Sequence, residues 1–356
     1  MSRFGRTILI FALALGAVLA WLALGQLANT GPLTGFVDQL ATFTTIFLGI
    51  FIEAAPFLLL GTLASGIVEV YVNKDDLARL IPRDPIRGAI VGAVMGVFFP
   101  VCECGVVPLT RKLFTKGLPL SAGVAFLLAA PVFNPIVIAS TIAAFGVGKI
   151  LYLRLGLTLV ISTLTGLIFS AQRHPEQLLA PSALMPTSDS SLPSSAVLDG
   201  AQAGGGGESG GGEGESRPTL RDGIPQVLTV AVDEFFEMGR YLILGALLAA
   251  LMQVIVPRSA LLAVSAGPVI SVLALIALAV ILSVCSTVDA FIALAFAGTF
   301  TTGSITAFLV FGPMVDIKST LMFLGVFKRR AVVYLILLPL VMTILASVFI
   351  NLNTTW

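Results

Sequence analysis

The sequence predicts an all-α membrane protein that crosses the bilayer several times and consists of two related halves. Hydrophobic residues make up 57% of the 356 residues and charged residues only 11%, which is far from the composition of a soluble globular domain. Apolar runs long enough to span a bilayer recur along the chain, and a segment rich in Gly, Ser and Pro divides them into two sets. We expect about 7–9 transmembrane segments.

Composition also limits the partners. The net charge of +1 gives no reason to expect a nucleic-acid partner, and three cysteines do not form the pattern of a disulfide framework. No glycine-rich phosphate loop precedes a helix, so ATP hydrolysis is not expected. We expect no cofactor, a lipid bilayer around the protein and a small-molecule or metalloid substrate; the sequence leaves open whether the chain forms a homo-oligomer.

Residues 1–37 form an N-terminal unit, a transmembrane helix followed by a loop. Arg3 and Arg6 precede an apolar run over residues 8–27, and positive charges at this position favour a cytoplasmic N-terminus. The flanks resemble those of a signal peptide, but a clean Ala-x-Ala cleavage site is missing. We therefore expect an uncleaved first helix, with cleavage as the alternative.

Residues 38–171 form the first of the two related repeats, in which helix breakers interrupt apolar runs. Residues 99–108 read Phe-Pro-Val-Cys-Glu-Cys-Gly-Val-Val-Pro. Proline interrupts helical hydrogen bonding, and an unpaired backbone group is costly in hydrocarbon. This stretch is therefore expected to be a helix break that is buried in protein or lines a wet cavity. The sequence Ala-Pro-Val-Phe-Asn-Pro at residues 130–135 predicts a second break.

Residues 172–222 form a flexible linker of Gly, Ser and Pro, which cannot bury enough apolar surface to fold. Residues 223–356 form a second repeat, because short motifs of the first half return in the same order at offsets of 182–184 residues. The matched positions are Glu53 with Glu237, Cys102 with Cys285, Pro131 with Pro313 and Asn134 with Asp316.

The distribution of Lys and Arg favours an inverted repeat. If every apolar run spans the membrane, roughly 12 basic residues lie on the cytoplasmic side and 6 lie outside. If each of the two cysteine-containing stretches instead re-enters and returns to its own side, the numbers become roughly 15 and 3. These counts place Arg111 and Lys112 in a basic turn and treat Arg154, near the start of a helix over about residues 150–170, as a flanking charge. Broken helices in inverted repeats are also how secondary transporters build sites at the bilayer midplane. We expect a multi-pass protein of the inner (plasma) membrane.

All three cysteines lie in the matching elements of the two halves. Cys102 and Cys104 form a Cys-x-Cys pair, and Cys285 is the counterpart of Cys102. Thiolates bind soft species such as Cu(I), Zn(II) and thiophilic metalloids. In an inverted repeat the three sulfurs would meet near the midplane, so all three are candidate substrate and metal ligands. The alternative is that they are small, polarizable packing residues.

Acidic residues within apolar runs are candidates for proton coupling, because a charge in the membrane is costly and usually faces the protein interior. Two alternatives remain: a headgroup-level position for Glu53 and Glu237, and a local ion pair of Asp316 with Lys318. The candidate proton carriers are Glu53, Glu103, Glu237, Asp289 and Asp316.

Helix breaks supply a second kind of ligand. Freed backbone carbonyls near Pro131 and Pro313, together with the side chain of Asn134, can coordinate a solute. The alternative is an ordinary proline kink whose backbone groups a neighbouring helix satisfies.

The motifs at residues 99–108, 130–135, 286–291 and 311–318 resemble those of the ArsP-like (YraQ-like) predicted permeases. The similarity covers nearly the whole chain except the first helix and the linker. It implies an inner-membrane permease and, for some members of the family, efflux of trivalent organoarsenicals with cysteines in the transport route.

Three functions are compatible with the sequence. The first is a secondary efflux permease for a thiophilic solute (an organoarsenical, a metalloid or a soft metal), driven by proton exchange and conferring arsenical resistance. The second is a permease for another small solute, with structural cysteines. The third is a membrane thiol or sulfur-transfer enzyme, which would need an exposed thiolate stabilised by a cation. Glu103 between the thiols opposes that chemistry, so we expect a transporter and no enzyme.

Overall fold

The computed structural model describes residues 34–73, 77, 81–82, 84–99, 102–171, 220–255 and 267–353. These residues are helical and form no β-sheet. The predicted first helix over residues 8–27 and nearly all of the linker lie outside the described residues, as does Pro100 of the cysteine stretch.

The described residues form twelve helices in two sets of six. In each set a long helix is followed by four short helices and then by another long helix. The first set is α1 Thr34–Tyr71, α2 Pro85–Met95, α3 Glu103–Thr115, α4 Leu120–Ala129, α5 Pro135–Phe145 and α6 Lys149–Ser170. The second set is α7 Leu220–Ile255, α8 Ile270–Leu282, α9 Asp289–Phe296, α10 Thr302–Met314, α11 Ile317–Val326 and α12 Arg329–Asn353.

The chain is a polytopic membrane protein. Five of its described stretches are long and apolar enough to cross a membrane, and α2, α4, α5 and α8 are apolar but shorter. Large apolar side chains such as Leu345 and Phe349 of α12 are each 66% exposed, as a lipid-facing surface requires. The five spanning stretches are Val37–Tyr71, Lys149–Ser170, Gly223–Ile255, Thr302–Val326 and Arg329–Asn353.

Helices α1 and α7 pack against each other in opposite directions. Ile50, in the first half of α1, packs with Ala246 near the end of α7. Gly66, near the end of α1, lies against Val227 near the start of α7, where a Cβ atom would stand 2.7 Å from the Val227 carbonyl oxygen. The long first helices of the two sets are therefore antiparallel neighbours.

Helices α2 and α3 form a hairpin. α2 runs parallel to α4, because Gly92 lies against Ala122 and Gly96 against Ala130. A four-residue connection, 116–119, then joins the end of α3 to the start of α4. The chain therefore enters the bundle along α2 and returns along α3 to the level at which it entered. Helices α8 and α9 form a second hairpin, since α8 runs parallel to α10. The Ser271 and Ser304 hydroxyl oxygens lie 2.8 Å apart at the starts of these two helices, and Gly312 lies against Ala279 near their ends.

The two hairpins begin at opposite ends of the bundle. The end of α3 lies beside the start of α12, where the Phe114 and Phe327 rings pack edge to face at 5.9 Å. α10 begins beside the other end of α12, where the Gly303 N–H donates to Asn351 Oδ1 at 2.9 Å. α4 and α10 thus start at opposite ends, and so do the hairpins beside them.

Local sequence signals begin the helices that follow the breaks. Asn134 is the N-cap of α5 and accepts a hydrogen bond from the Ile136 N–H, with Pro135 at the first helical position. Asp316 is the N-cap of α11 and forms a capping box with Ser319. The breaks predicted around these residues are confirmed. The cysteine-containing break ends at Cys102, because α3 begins at Glu103 and continues through Pro108.

The placement of Arg111 and Lys112 in a turn is wrong, and Arg154 is a buried residue of its helix rather than a charge that flanks it. Arg111 and Lys112 lie within α3 and Arg154 lies within α6, and their exposed fractions are 3%, 4% and 1%. Acidic residues on neighbouring helices bind all three, and this pairing offsets part of the cost of burying a charge. These three basic residues are therefore buried members of helices, although they lie next to apolar runs in the sequence.

Candidate functional site

The bends of the two hairpins bring two thiols and a carboxyl group together. Cys102 is the N-cap of α3, Glu103 is the first residue of that helix, and Cys285 lies in the turn between α8 and α9. A carboxylate oxygen of Glu103 and the sulfurs of Cys102 and Cys285 all lie within 4.8 Å of one another, and all three side chains are buried. The group can present two soft ligands and one hard ligand to a single atom.

Cys104 is buried in the first turn of α3 and lies outside this group. The Cys104 thiol nevertheless interacts with the Cys102 thiol, and a joint role for all three sulfurs stays a prediction. Cys102 caps the helix and Cys104 is part of its first turn.

Lys318 connects this group to the second half of the chain. Its Nζ lies 3.4 Å from Glu103 Oε1 and 3.5 Å from Asp316 Oδ2, and the residue is only 2% exposed. The Asp316–Lys318 ion pair considered from the sequence is present, and it extends to an acid 215 positions away. Among the described residues, the second oxygen of Glu103 has no hydrogen-bond partner.

Asp316 joins the start of α11 to the second hairpin. Its Oδ1 accepts the Ser319 N–H at 2.6 Å, and its Oδ2 accepts the Ser283 hydroxyl at 2.5 Å. Ser283 ends α8 in the left-handed region with φ +48°, a conformation that few non-glycine residues adopt. The hydrogen bond to Asp316 therefore anchors the bend that carries Cys285.

The other predicted acids lie in different surroundings. Glu53 is half-buried near the middle of α1 and faces Lys318. Glu237 on α7 accepts a hydrogen bond from Arg111 Nη1 at 2.8 Å. Asp289, the first residue of α9, is bound by a third cation, Arg154. Of the five predicted acids, Glu103 and Asp316 are the two that form ion pairs with Lys318, next to the cysteines.

The three polar or proline positions at the other breaks have local structural roles. Asn134 is buried and caps α5. Pro131 is buried in the turn after α4, and Pro313 lies inside α10 close to its end. The described contacts do not place these three residues against the Cys102–Cys285 pair.

Sequence reasoning missed Glu234 and the partners of the acids. Glu234 lies on α7 one turn before Glu237 and has 0% exposure. The repeat match drew attention to Glu237, whereas Glu234 has no acidic counterpart in the first half. The signal that was available is the presence of several basic residues inside or beside apolar runs, because each of them requires an acid nearby.

Comparison with known proteins shows similarity to membrane permeases. A family described as predicted permease, ArsP_1, matches residues 39–352. The UPF0718 protein YcgR of Bacillus subtilis is 43% identical over 308 residues, which cover 86% of this chain and 96% of that protein. A putative two-component membrane permease complex subunit of Streptococcus mutans is 35% identical over 288 residues, 80% of this chain and 87% of that protein. No solved structure matches the chain.

Proposed function

Since the chain belongs to the ArsP_1 family of predicted permeases, we propose that it is a secondary efflux permease for a small thiophilic solute, coupled to proton exchange. The observation that carries this proposal is the meeting of Cys102, Glu103 and Cys285 at the bends of two hairpins. A trivalent organoarsenical is the substrate class that these ligands fit best, with metalloids and soft metal ions as the related alternatives.

Two thiols suit a trivalent arsenical with two exchangeable hydroxyl groups. Two As–S bonds form, two As–O bonds break, and each thiol proton leaves with a hydroxyl group as water. No oxidant or reductant is needed, and the net charge of the site does not change. Glu103 is placed to hold the proton during each exchange, because one of its carboxylate oxygens lies within 4.8 Å of both sulfurs.

An inverted repeat would let this site open alternately to the two sides. Support comes from the antiparallel packing of α1 and α7 and from the two hairpins, which start at opposite ends of the bundle. Inverted repeats with broken helices are the common architecture for alternating access around a midplane site. In this proposal each hairpin is re-entrant and carries one of the two thiols.

The exposed basic residues orient the proposed topology. Most of those described lie at the end of the bundle where α1 and α3 end and α12 begins, whereas Lys149 lies at the opposite end. Positive charge is enriched in cytoplasmic loops, so the first of these ends faces the cytoplasm in this proposal. The exposed residues at that end are Arg87, Lys328, Arg329 and Arg330, and the half-buried Lys116 lies there too.

Proton coupling would involve the acids around Lys318. When the thiols are neutral, Glu103, Asp316 and Lys318 together carry one net negative charge in a buried site, and Glu53 adds an acid that faces it. Such a site favours uptake of a proton after the solute leaves. Glu237 and Asp289 remain candidate proton carriers in this scheme, although each of them already forms an ion pair with an arginine.

Two further expectations come with the family. The relative in Streptococcus mutans bears the name of a complex subunit. By analogy, we propose that this chain also has a protein partner, either a second subunit or a further copy of itself. A membrane thiol enzyme is the less favoured function, because catalytic thiol exchange needs an accessible thiolate and all three cysteines are buried.

A sensitivity screen tests the function. Cells lacking their own arsenical and metal exporters would express the intact chain, Cys102→Ser/Cys285→Ser or Cys104→Ser, with protein amounts in the membrane compared. Each strain would be challenged with methylarsenite, arsenite, antimonite, Cu(I) and Zn(II). We expect protection by the intact chain and by Cys104→Ser, and none by the double variant. Protection that survives in the double variant would assign the cysteines to packing, and no protection by the intact chain would favour another small solute.

A further inference from the structure

Glu234 is a buried carboxyl group without a cationic partner of its own. It lies on α7, eleven positions after Gly223 and about 16 Å into that spanning stretch. Its exposed fraction is 0%, and among the described residues neither carboxylate oxygen has a well-formed hydrogen bond, because the Ser65 hydroxyl that faces it donates to the Pro108 carbonyl oxygen at 3.4 Å. An ionised carboxylate in such a place is strongly disfavoured unless a cation is available to it.

The cations that face Glu234 are already bound to other acids. Arg111 of α3 donates to Glu237 at 2.8 Å, and Lys112 of α3 lies 3.6 Å from Glu69 of α1. These residues and Ser65 of α1 are the polar groups around Glu234.

The remaining charged groups on the packed elements lie further away or at the surface. Lys116 donates to the Glu69 carbonyl oxygen, Asp233 is exposed, and Lys318 of α11 packs on α7 at Gly245, about three turns beyond Glu234. The cluster therefore holds three carboxyl groups, of which two have a cationic partner and Glu234 has none.

We propose that Glu234 is a second proton-binding site of the permease, in addition to the acids around Lys318. It holds a proton in this conformation, and when it releases that proton Arg111 moves from Glu237 to the new negative charge. This inference rests on the proposed function and deepens it, because it names a coupling residue outside the set of acids around Lys318.

Helix α3 connects this proton site to the thiols. Cys102 caps its start, and Arg111 lies nine residues later, about 13 Å along the helix axis. α3 lies so close to α1 that a Cβ on Gly61 would stand 2.3 Å from Gly105 Cα. A movement of α3 against α1 and α7 therefore changes the solute site and the surroundings of Glu234 together.

Infrared spectroscopy of the full-length protein in liposomes tests the protonation directly and needs no substrate. A protonated carboxyl group gives a C=O stretching band that a carboxylate lacks. We expect the intact chain at neutral pH to show a band that Glu234→Gln loses and that the matched variant Asp233→Asn keeps, because Asp233 is exposed. A spectrum of Glu234→Gln that retains the whole band would overturn the proposal.

A transport measurement tests the coupling, with methylarsenite as the probe in proteoliposomes. A gradient of one pH unit supports at most about tenfold accumulation for one-to-one exchange. We expect the intact chain and Asp233→Asn to respond to the gradient, whereas Glu234→Gln should exchange the probe without accumulating it. Accumulation by Glu234→Gln equal to that of the intact chain would also overturn the proposal. If the intact chain does not move methylarsenite, the proposed substrate is wrong, and the infrared result still decides whether Glu234 holds a proton.

Discussion

Arg154 and Asp289 form a bidentate ion pair that joins the first half of the chain to the second. Arg154 Nη1 donates to Asp289 Oδ1 at 3.1 Å and Nη2 donates to Oδ2 at 2.7 Å. Nη1 also donates to the Thr141 hydroxyl at 2.8 Å. Because Asp289 begins the helix that follows Cys285, this pair fixes one side of the bend that carries a proposed substrate ligand.

Removing one member of this pair should destabilise the protein strongly. Arg154→Met leaves the buried carboxylate of Asp289 without its cation, which costs about 3–5 kcal/mol. Thermal unfolding in detergent would show the loss, and Arg154→Met/Asp289→Leu should recover part of it because no unpaired charge remains. Arg240→Met is the control, since the Arg240 side chain is 62% exposed. Equal unfolding temperatures for Arg154→Met and Arg240→Met would contradict this prediction.

Lys318 should be needed because two acids share it. Lys318→Met leaves Glu103 and Asp316 buried without a cation, and we expect a lower unfolding temperature and loss of protection against the solute. Adding Glu103→Gln should restore part of the stability, since one buried negative charge is removed. The exposed Lys328 provides the control variant Lys328→Met. A double variant no more stable than Lys318→Met would argue against the shared ion pair.

Binding of a dithiol reagent should separate the three cysteines. Phenylarsine oxide binds two neighbouring thiols, so it should raise the unfolding temperature of the intact chain and of Cys104→Ser. It should not do so for Cys102→Ser or Cys285→Ser, because either change leaves one thiol in the group. Bound arsenic per chain, measured by mass spectrometry, would check the same point. Stabilisation of Cys285→Ser equal to that of the intact chain would show that Cys102 pairs with Cys104 instead.

The inverted repeat predicts which loops face the cytoplasm. Single cysteines at Gly117 and Val147, both exposed, would be introduced into a chain without other cysteines. A membrane-impermeant maleimide should label Val147→Cys in intact cells and Gly117→Cys only after the cells are opened. Labelling of both positions from the same side would contradict a re-entrant first hairpin followed by a crossing through α4 and α5.

Several features of the fold could be predicted from sequence. The class of protein follows from composition, and the breaks around Cys102, Asn134 and Asp316 follow from proline, glycine and capping residues in apolar runs. These signals are local, because the backbone conformation of a break depends on the few residues around it. The break at Cys285 follows from its match to Cys102 in the repeat. The family resemblance was likewise visible in the motifs, and the family match confirms it.

Which charged residues meet was decided only by the tertiary structure. Arg154 and Asp289 are 135 positions apart and Lys318 and Glu103 are 215 apart, and nothing local in the sequence pairs them. The spanning helices are apolar on nearly all sides, since lipid and the protein core both accept apolar residues, so their sequences do not indicate which face turns inward. The structure brings Glu103 to Cys102 and Cys285 and buries Glu234 without a cation of its own, because the packing of α1, α3, α7 and α11 determines which side chains share a space.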